Sequence, residues 1–301
     1  MVTLRRKPAW WGSLWLLLWS LHSVWAQGVP RAQCFPIERL PPAVQVEAER
    51  ILLQMLDREG LYTVIGGIKP MSSAFVTHSF TVEPFDQQGW ERLTQLRTIL
   101  QTFQCGDELY ADMMVFARTA NGKKTAHAIV INTRRLRETI RQYGDFFARL
   151  GVTENSHPME VVMAVEYAPR ADRHRGYGYL FGYPKYAVDF FVAAGDEEER
   201  TGQFVERDFV SIPTFARETN LFVYAVPKGQ RENDEDRQIR ARASRVLSSY
   251  RARRQRYIGK DKPGVVEMLR DWLDDGTGRC SLSHARFGAS IPLFPPTESA
   301  R

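Results

Sequence analysis

The chain has 301 residues, of which 44% are hydrophobic and 25% charged, the composition of an ordinary globular protein. Its formal charge is +6, and removing Arg5, Arg6 and Lys7 at the N-terminus brings it to +3. That balance is too mild to imply a nucleic-acid or polyanion-coating role, and three cysteines are too few for a disulfide framework.

Residues 1–26 read as a secretory signal. Arg5, Arg6 and Lys7 form the basic region, 10–21 is a tryptophan- and leucine-rich apolar run, and Val24-Trp25-Ala26 offers a cleavage site with small residues at −3 and −1. The run is short beside the ~20 residues of a membrane span, which favours cleavage over a retained anchor. No later segment is apolar enough to span. The expected location is extracytoplasmic, periplasmic or secreted. Export permits a disulfide among Cys34, Cys105 and Cys280, and the odd count leaves one thiol over. A Cys105–Cys280 bridge would tie the C-terminal tail to the body, although spacing alone does not decide the pairing.

Residues 27–42 read as an irregular leader ended by Pro41-Pro42. Val44, Ala48, Ile51, Leu52 and Met55 then share one helical face, with Gly60 as the stop. Residues 61–65 read as a short buried strand closed by Gly66-Gly67. From Ala74 to Val82 polar and apolar residues alternate, as in a strand. That places His78 on the more apolar face, where it is most simply a core histidine with one hydrogen bond. Trp90, Leu93, Leu96, Leu100 and Phe103 predict a second amphipathic helix.

Residues 109–118 and 124–131 flank Asn121-Gly122, the strongest hairpin dipeptide. A two-residue loop there sets Phe116 opposite His127 and Met114 opposite Ile129. Asn132 or Thr133 caps a third helix, which carries Leu136, Ile140, Tyr143, Phe147 and Leu150 and ends at Gly151. Its other face holds Arg134, Arg135, Arg137 and Arg141, a solvated surface. Residues 160–167 read as a buried strand on their β-branched content, with a short helix as the alternative. Residues 169–175 read as a basic loop.

The stretch from His174 to Phe191 is the most distinctive in the chain. Gly182-Tyr183-Pro184 predicts a break followed by a helix that is apolar almost all round and therefore buried. An acidic run, 196–199, follows it. Residues 209–212 and 221–226 predict two further strands. A long helix from Asp234 carries an Ile239, Ala243, Val246, Tyr250 and Tyr257 stripe and eight arginines between Arg237 and Arg256. Lys262-Pro263-Gly264 breaks it before a last short helix.

These elements predict an α+β or mixed α/β fold: a single antiparallel or mixed sheet with packed helices. The expected core domain is 43–227, followed by a helical C-terminal extension at 228–275 packed on it and a tail at 276–301. The free amides of the helix entering at Pro184 would suit an anion. The expected ligand site is thus a pocket for a small polar or anionic ligand, an envelope component among the options, lined by Lys69, His174, Tyr179, Tyr183 and Lys185. The alternative for the same cluster is a tight corner whose rings fill core.

A hydrolase is the second functional reading, with Ser72 or Ser73 beside Lys69 or His78, or with Asp189 in an acid–base pair. For Asp189 the plainer expectation is an ion pair with an arginine. A third reading is a protein partner docking through the arginine-rich helix at 234–258. No histidine, cysteine or carboxylate spacing suggests a metal site, and no glycine-rich nucleotide loop is present, so no metal or cofactor and no nucleic acid is expected.

Overall fold

A computed structural model describes residues 28–285; the expected signal at 1–26 and residues 286–301 of the expected tail lie outside the described residues. Helix α1 (Pro42–Asp57) starts on Pro42, whose missing N–H is no loss at that position. It buries the Ala48, Ile51, Leu52 and Met55 face. The residues expected as a strand at 61–65 form a second helix instead, α2 (Gly60–Val64), with Gly60 as its first residue. All five residues of α2 are buried, so no polar face marks its period.

Strand β2 (Met71–Thr81), helix α3 (Gln87–Leu100) and the hairpin β3 (Leu109–Ala120) and β4 (Lys123–Asn132) follow as expected. They build an antiparallel sheet in the order β2-β4-β3. The hairpin register differs from the two-residue-loop expectation. Ala120 pairs with Lys123 and Thr119 with Lys124, but a shift between Thr119 and Val115 then sets Met114, not Phe116, opposite His127. The displaced backbone is satisfied from outside the ladder. Lys124 Nζ donates to the carbonyls of Phe116 and Ala117 at 3.2 and 2.7 Å, and Ala117 N donates to Glu166 Oε1 at 2.9 Å. Phe116 still meets His127 edge-on at 4.7 Å.

The sheet is buried on both faces. Leu109, Ala111, Met113, Ala126, Ala128 and Val130 face the core built with α1, α2 and α3. Met114, Ile129 and Ile131 face a second core. That core is closed by α4 (Thr133–Gln142), α5 (Gly144–Arg149), α6 (Pro158–Glu166) and α7 (Arg170–Leu180). Two-sided burial explains the uninterrupted apolar run 128–131. Asn132 caps α4 by accepting from Arg135 N at 3.0 Å, and the single helix expected to run to Gly151 breaks at Tyr143.

Two further expectations are corrected here. Residues 160–166 are helical because His157 and Glu160 form a reciprocal capping box and Pro158 opens the turn, and Tyr167 is the C-cap. The basic loop and the Gly-Tyr stretch form α7, and the glycines have a packing reason. A Cβ on Gly176 would lie 2.7 Å from Val165 of α6. One on Gly178 would lie 2.6 Å from Val188 of α8 (Lys185–Thr201). The break at Gly182 (φ +70°) and the start of α8 after Pro184 match expectation. α8 is not buried all round, however: Ala187, Val188, Val192 and Ala194 are buried, Phe191 is exposed, and the acidic run continues the helix.

Strands β5 (Arg207–Ile212) and β6 (Phe222–Pro227) form a separate antiparallel pair rather than joining the central sheet. The α+β class holds, with the strands divided among three small antiparallel sheets among the described residues. Helix α9 (Asp234–Tyr257) and helix α10 (Val265–Leu273) bury Ile239, Val246, Tyr250, Met268 and Trp272 in the first core. Tyr186 and Tyr224 both donate to the buried Asp236, joining α8, β6 and the start of α9.

The expected leader is not irregular. β1 (Val29–Pro30) pairs with β7 (Arg279–Cys280), and Cys34, Phe35, Ile37 and Leu40 belong to the core. The disulfide joins Cys34 to Cys105, and Cys280 is a buried free thiol. Cys280 therefore ties the tail to the body by strand pairing and burial rather than by a bridge. No helix among the described residues is long and apolar enough to cross a membrane.

Candidate functional site

The turn after α2 carries Lys69 into the protein, where its side chain is 0% exposed. Its ammonium pairs with Glu59 and lies over the rings of Phe222, Phe181 and Tyr183 at 4.5, 5.2 and 5.9 Å. Burial lowers the Lys69 pKa, with Glu59 acting in the opposite sense. Tyr183 packs its ring on Phe222 and Tyr224, with its phenol pushed up by burial. Gly182 is pressed against this corner, since a Cβ there would lie 3.0 Å from the Ile68 carbonyl. The space beneath Pro184 is thus filled by rings and by Lys69 itself. The cation over aromatic faces is a stabilising arrangement; it leaves Lys69 fully buried and Tyr183 partly buried, with its ring packed on Phe222 and Tyr224.

Ser72 is also buried, its hydroxyl engaged with Thr63 Oγ1 at 2.8 Å and the Glu59 carbonyl at 3.1 Å. His78 lies toward the other end of β2, where its Nε2 meets the Gly89 carbonyl at 2.7 Å and its ring stacks near Phe80. β2 is bulged between Ser73 and Thr77, but Ser72 pairs with Val130 and His78 with Ala126, so four residues of the partner strand set the two apart by roughly 13 Å. Direct proton transfer requires contact within ~3 Å. Ser72 and His78 therefore cannot act as nucleophile and base together.

Tyr179, Lys185 and Asp189 do come together, with Arg175. Asp189 accepts from both Arg175 and Lys185, and Arg175 donates to the Tyr179 hydroxyl at 3.4 Å. The two cations hold the Asp189 carboxyl below its usual range against the opposing effect of burial. Tyr179 is otherwise a core residue, stacked flat on Tyr143 at 3.7 Å and edge-on to Phe146. His174 lies apart on α7 beside Phe191, and burial, followed by Arg170 and Arg173, lowers its pKa.

Open concave space occurs elsewhere, at the start of β3. One cleft of about 430 Å³ is bounded by Arg39, Thr98, Gln101, Gln104 and Tyr110. A second of about 260 Å³ shares Gln104, Leu109 and Tyr110 with it and continues to Thr133, Arg137 and Glu154. Together they make a groove against the Cys34–Cys105 bridge. The bridge and the Phe35 N to Gln104 O hydrogen bond of 2.7 Å hold the 104–106 turn in place. Gly106 takes φ +61° there, with Val29 packed where a Cβ would be.

Tyr110 sits at the junction of the two clefts. Its hydroxyl donates to Asp112 Oδ2 at 3.0 Å, and Arg97 closes on the same carboxylate with bonds of 2.8 and 3.0 Å. Burial and then Asp112 raise the Tyr110 pKa, so the phenol stays protonated at neutral pH. The ring of His157 meets that of Tyr110 edge-on at 5.0 Å. Glu154 is held by Arg141 at 2.7 Å. The Arg39 and Arg137 side chains are exposed and make no ion pair or side-chain hydrogen bond with a described residue, so both are available to a ligand.

Sequence reasoning missed this groove. The signal that could have pointed to it is the polar pair Tyr110-x-Asp112 interrupting an apolar strand just after a cysteine turn. No group of three or more His, Cys, Asp or Glu side chains among the described residues is placed to hold a metal ion. No known family, no curated protein and no solved structure matches this chain.

Proposed function

We propose that this chain is an exported binding protein that holds a small polar ligand bearing an anionic group in the groove between Arg39 and Arg137. The observation that carries the reading is the pair of unengaged guanidinium groups flanking adjoining clefts of about 430 and 260 Å³. That scale suits a small-molecule site. The wall between the cations supplies Gln101 and Gln104 as orienting groups. A backbone pinned by a disulfide supports a preformed site, and the same disulfide supports an oxidising, extracytoplasmic compartment.

The hydrolase alternative has less support, because the Ser72 hydroxyl is engaged inside the core and His78 is distant. Docking through α9 has less support, because Arg237, Arg240, Arg251 and Arg254 are bonded to acids of this chain.

Calorimetry with glucuronate, citrate and succinate, and with glucose as a neutral control, tests the reading. A hydrogen bond to a charged group contributes about 1.5–3 kcal/mol. Arg39→Gln or Arg137→Gln should therefore weaken the best carboxylate roughly tenfold to a hundredfold, with folding unchanged. Absence of carboxylate binding, or affinity indifferent to both substitutions, would refute it.

A further inference from the structure

A second feature, separate from the groove, lies where α4 and α9 meet the Gly66-Gly67 turn. A Cβ on Gly66 would lie 3.1 Å from Val246 of α9, and one on Gly67 would lie 3.7 Å from the Arg135 stem of α4. The turn is therefore wedged between the two helices, and Gly67 takes φ +53°, a conformation that glycine adopts without strain. Arg242 lies one helical turn before Val246, and Arg245 shares its face at i+3.

Arg242 is half-buried, and its Nη2 is shut off from solvent without a hydrogen-bond acceptor among the described residues. A guanidinium nitrogen buried in that way is costly, because the water it lost has not been replaced. The charges around it make matters worse. Burial, then Arg135, then Arg245 lower the Arg242 pKa, and only Glu138 acts in the opposite sense. Glu138 is itself engaged with Arg135.

We infer that Arg242 and Arg245 of α9, together with Arg135 of α4, whose stem lies against Gly67, form a binding site for a tetrahedral oxyanion of the phosphate or sulfate type. Such an anion supplies several acceptor oxygens at once and neutralises the mutual repulsion of the guanidinium groups. Arginine is suited to it by its planar fork of donors. A free phosphate and the phosphodiester of an anionic lipid headgroup share this chemistry.

Thermal unfolding and calorimetry with inorganic phosphate, against sodium chloride at equal ionic strength, test the site. Flotation with phosphatidylglycerol vesicles, against phosphatidylcholine vesicles, tests the headgroup as source. The expected result is a phosphate-specific rise in Tm, or capture by the anionic vesicles alone, that weakens at least tenfold in Arg242→Gln. Arg245→Gln provides the same comparison should the first variant fold poorly. Arg118→Gln, at an exposed arginine outside both sites, should retain the full response, which shows that the loss is not due to one positive charge fewer. No phosphate or vesicle response beyond that of chloride and phosphatidylcholine, or a response undiminished in both variants, would overturn the inference.

Discussion

Replacing Gly178 by alanine tests whether α7 and α8 are in backbone-to-side-chain contact. Alanine is better than glycine in a helix interior by about 0.8–1 kcal/mol. Here the added methyl would meet Val188 Cγ2 at 2.6 Å, Cγ1 at 3.0 Å and Cβ at 3.3 Å. All three atoms are close, and a helical valine has one strongly preferred rotamer, so rotation does not open the space. Overpacking of that kind costs roughly 1–3 kcal/mol. Because the approach is so close, the upper half of that range applies, and the net effect should be a loss of about 1–2 kcal/mol.

Gly195, inside the neighbouring helix α8, is the internal control. Its nearest atoms to an added Cβ are Arg170 Nη2 and His174 Nδ1, both at 3.9 Å, which is ordinary contact. Gly195→Ala should therefore stabilise by about 1 kcal/mol. Urea unfolding followed by circular dichroism, with unchanged m-values, reads both effects. A Gly178→Ala variant stabilised to the same degree as Gly195→Ala would refute the close packing.

Removing the bridge with Cys34→Ser and Cys105→Ser releases a loop closed across a separation of 71 residues. By the chain-entropy estimate this should lower stability by roughly 4 kcal/mol, read by denaturant titration. In the native protein Cys280 should resist a thiol reagent until unfolding, since it is buried and its thiol is pushed up to about 11 by burial. Burial lowers the folded-state pKa of His127 beneath its ordinary 6.5. As pH falls below about 6.5 the unfolded chain takes up a proton that the native state resists, so stability should decline. His127→Asn should lessen that decline in thermal melts between pH 7 and 5, and an unchanged slope would show that His127 is not the group responsible.

The parts of the fold legible in sequence are those whose signals are local. The Asn121-Gly122 hairpin, the Asn132 cap and the amphipathic stripe of α1 each depend on residues a few positions apart. What was misread depends on distant partners. α2 is buried on every side, so its apolar run has no period to betray a helix. The basic loop expected at 169–175 belongs to α7, whose Gly176 and Gly178 have their reason in Val165 and Val188 packed against them. The register shift in β3 is held by Glu166, 49 residues away. The disulfide pairing follows from the backbone bridge that sets residue 34 beside residue 105, which spacing does not reveal.

The nominated site divided for a similar reason. Tyr179, Lys185 and Asp189 lie near one another along α7 and α8 and meet with Arg175. Lys69 points into the core with Tyr183 packed over it, and a buried lysine over aromatic rings gives the same sequence pattern as one lining a pocket. The groove is assembled from the 36–40 segment, the end of α3, the start of β3 and α4, so no single stretch of sequence announces it.

The most direct measurement is backbone amide chemical-shift mapping of the intact protein titrated with the tightest carboxylate found by calorimetry. The groove reading predicts shifts concentrated at residues 39–40, 98–111 and 133–137, with 182–189 unmoved. Shifts centred on 182–189, or scattered without saturation, would contradict it.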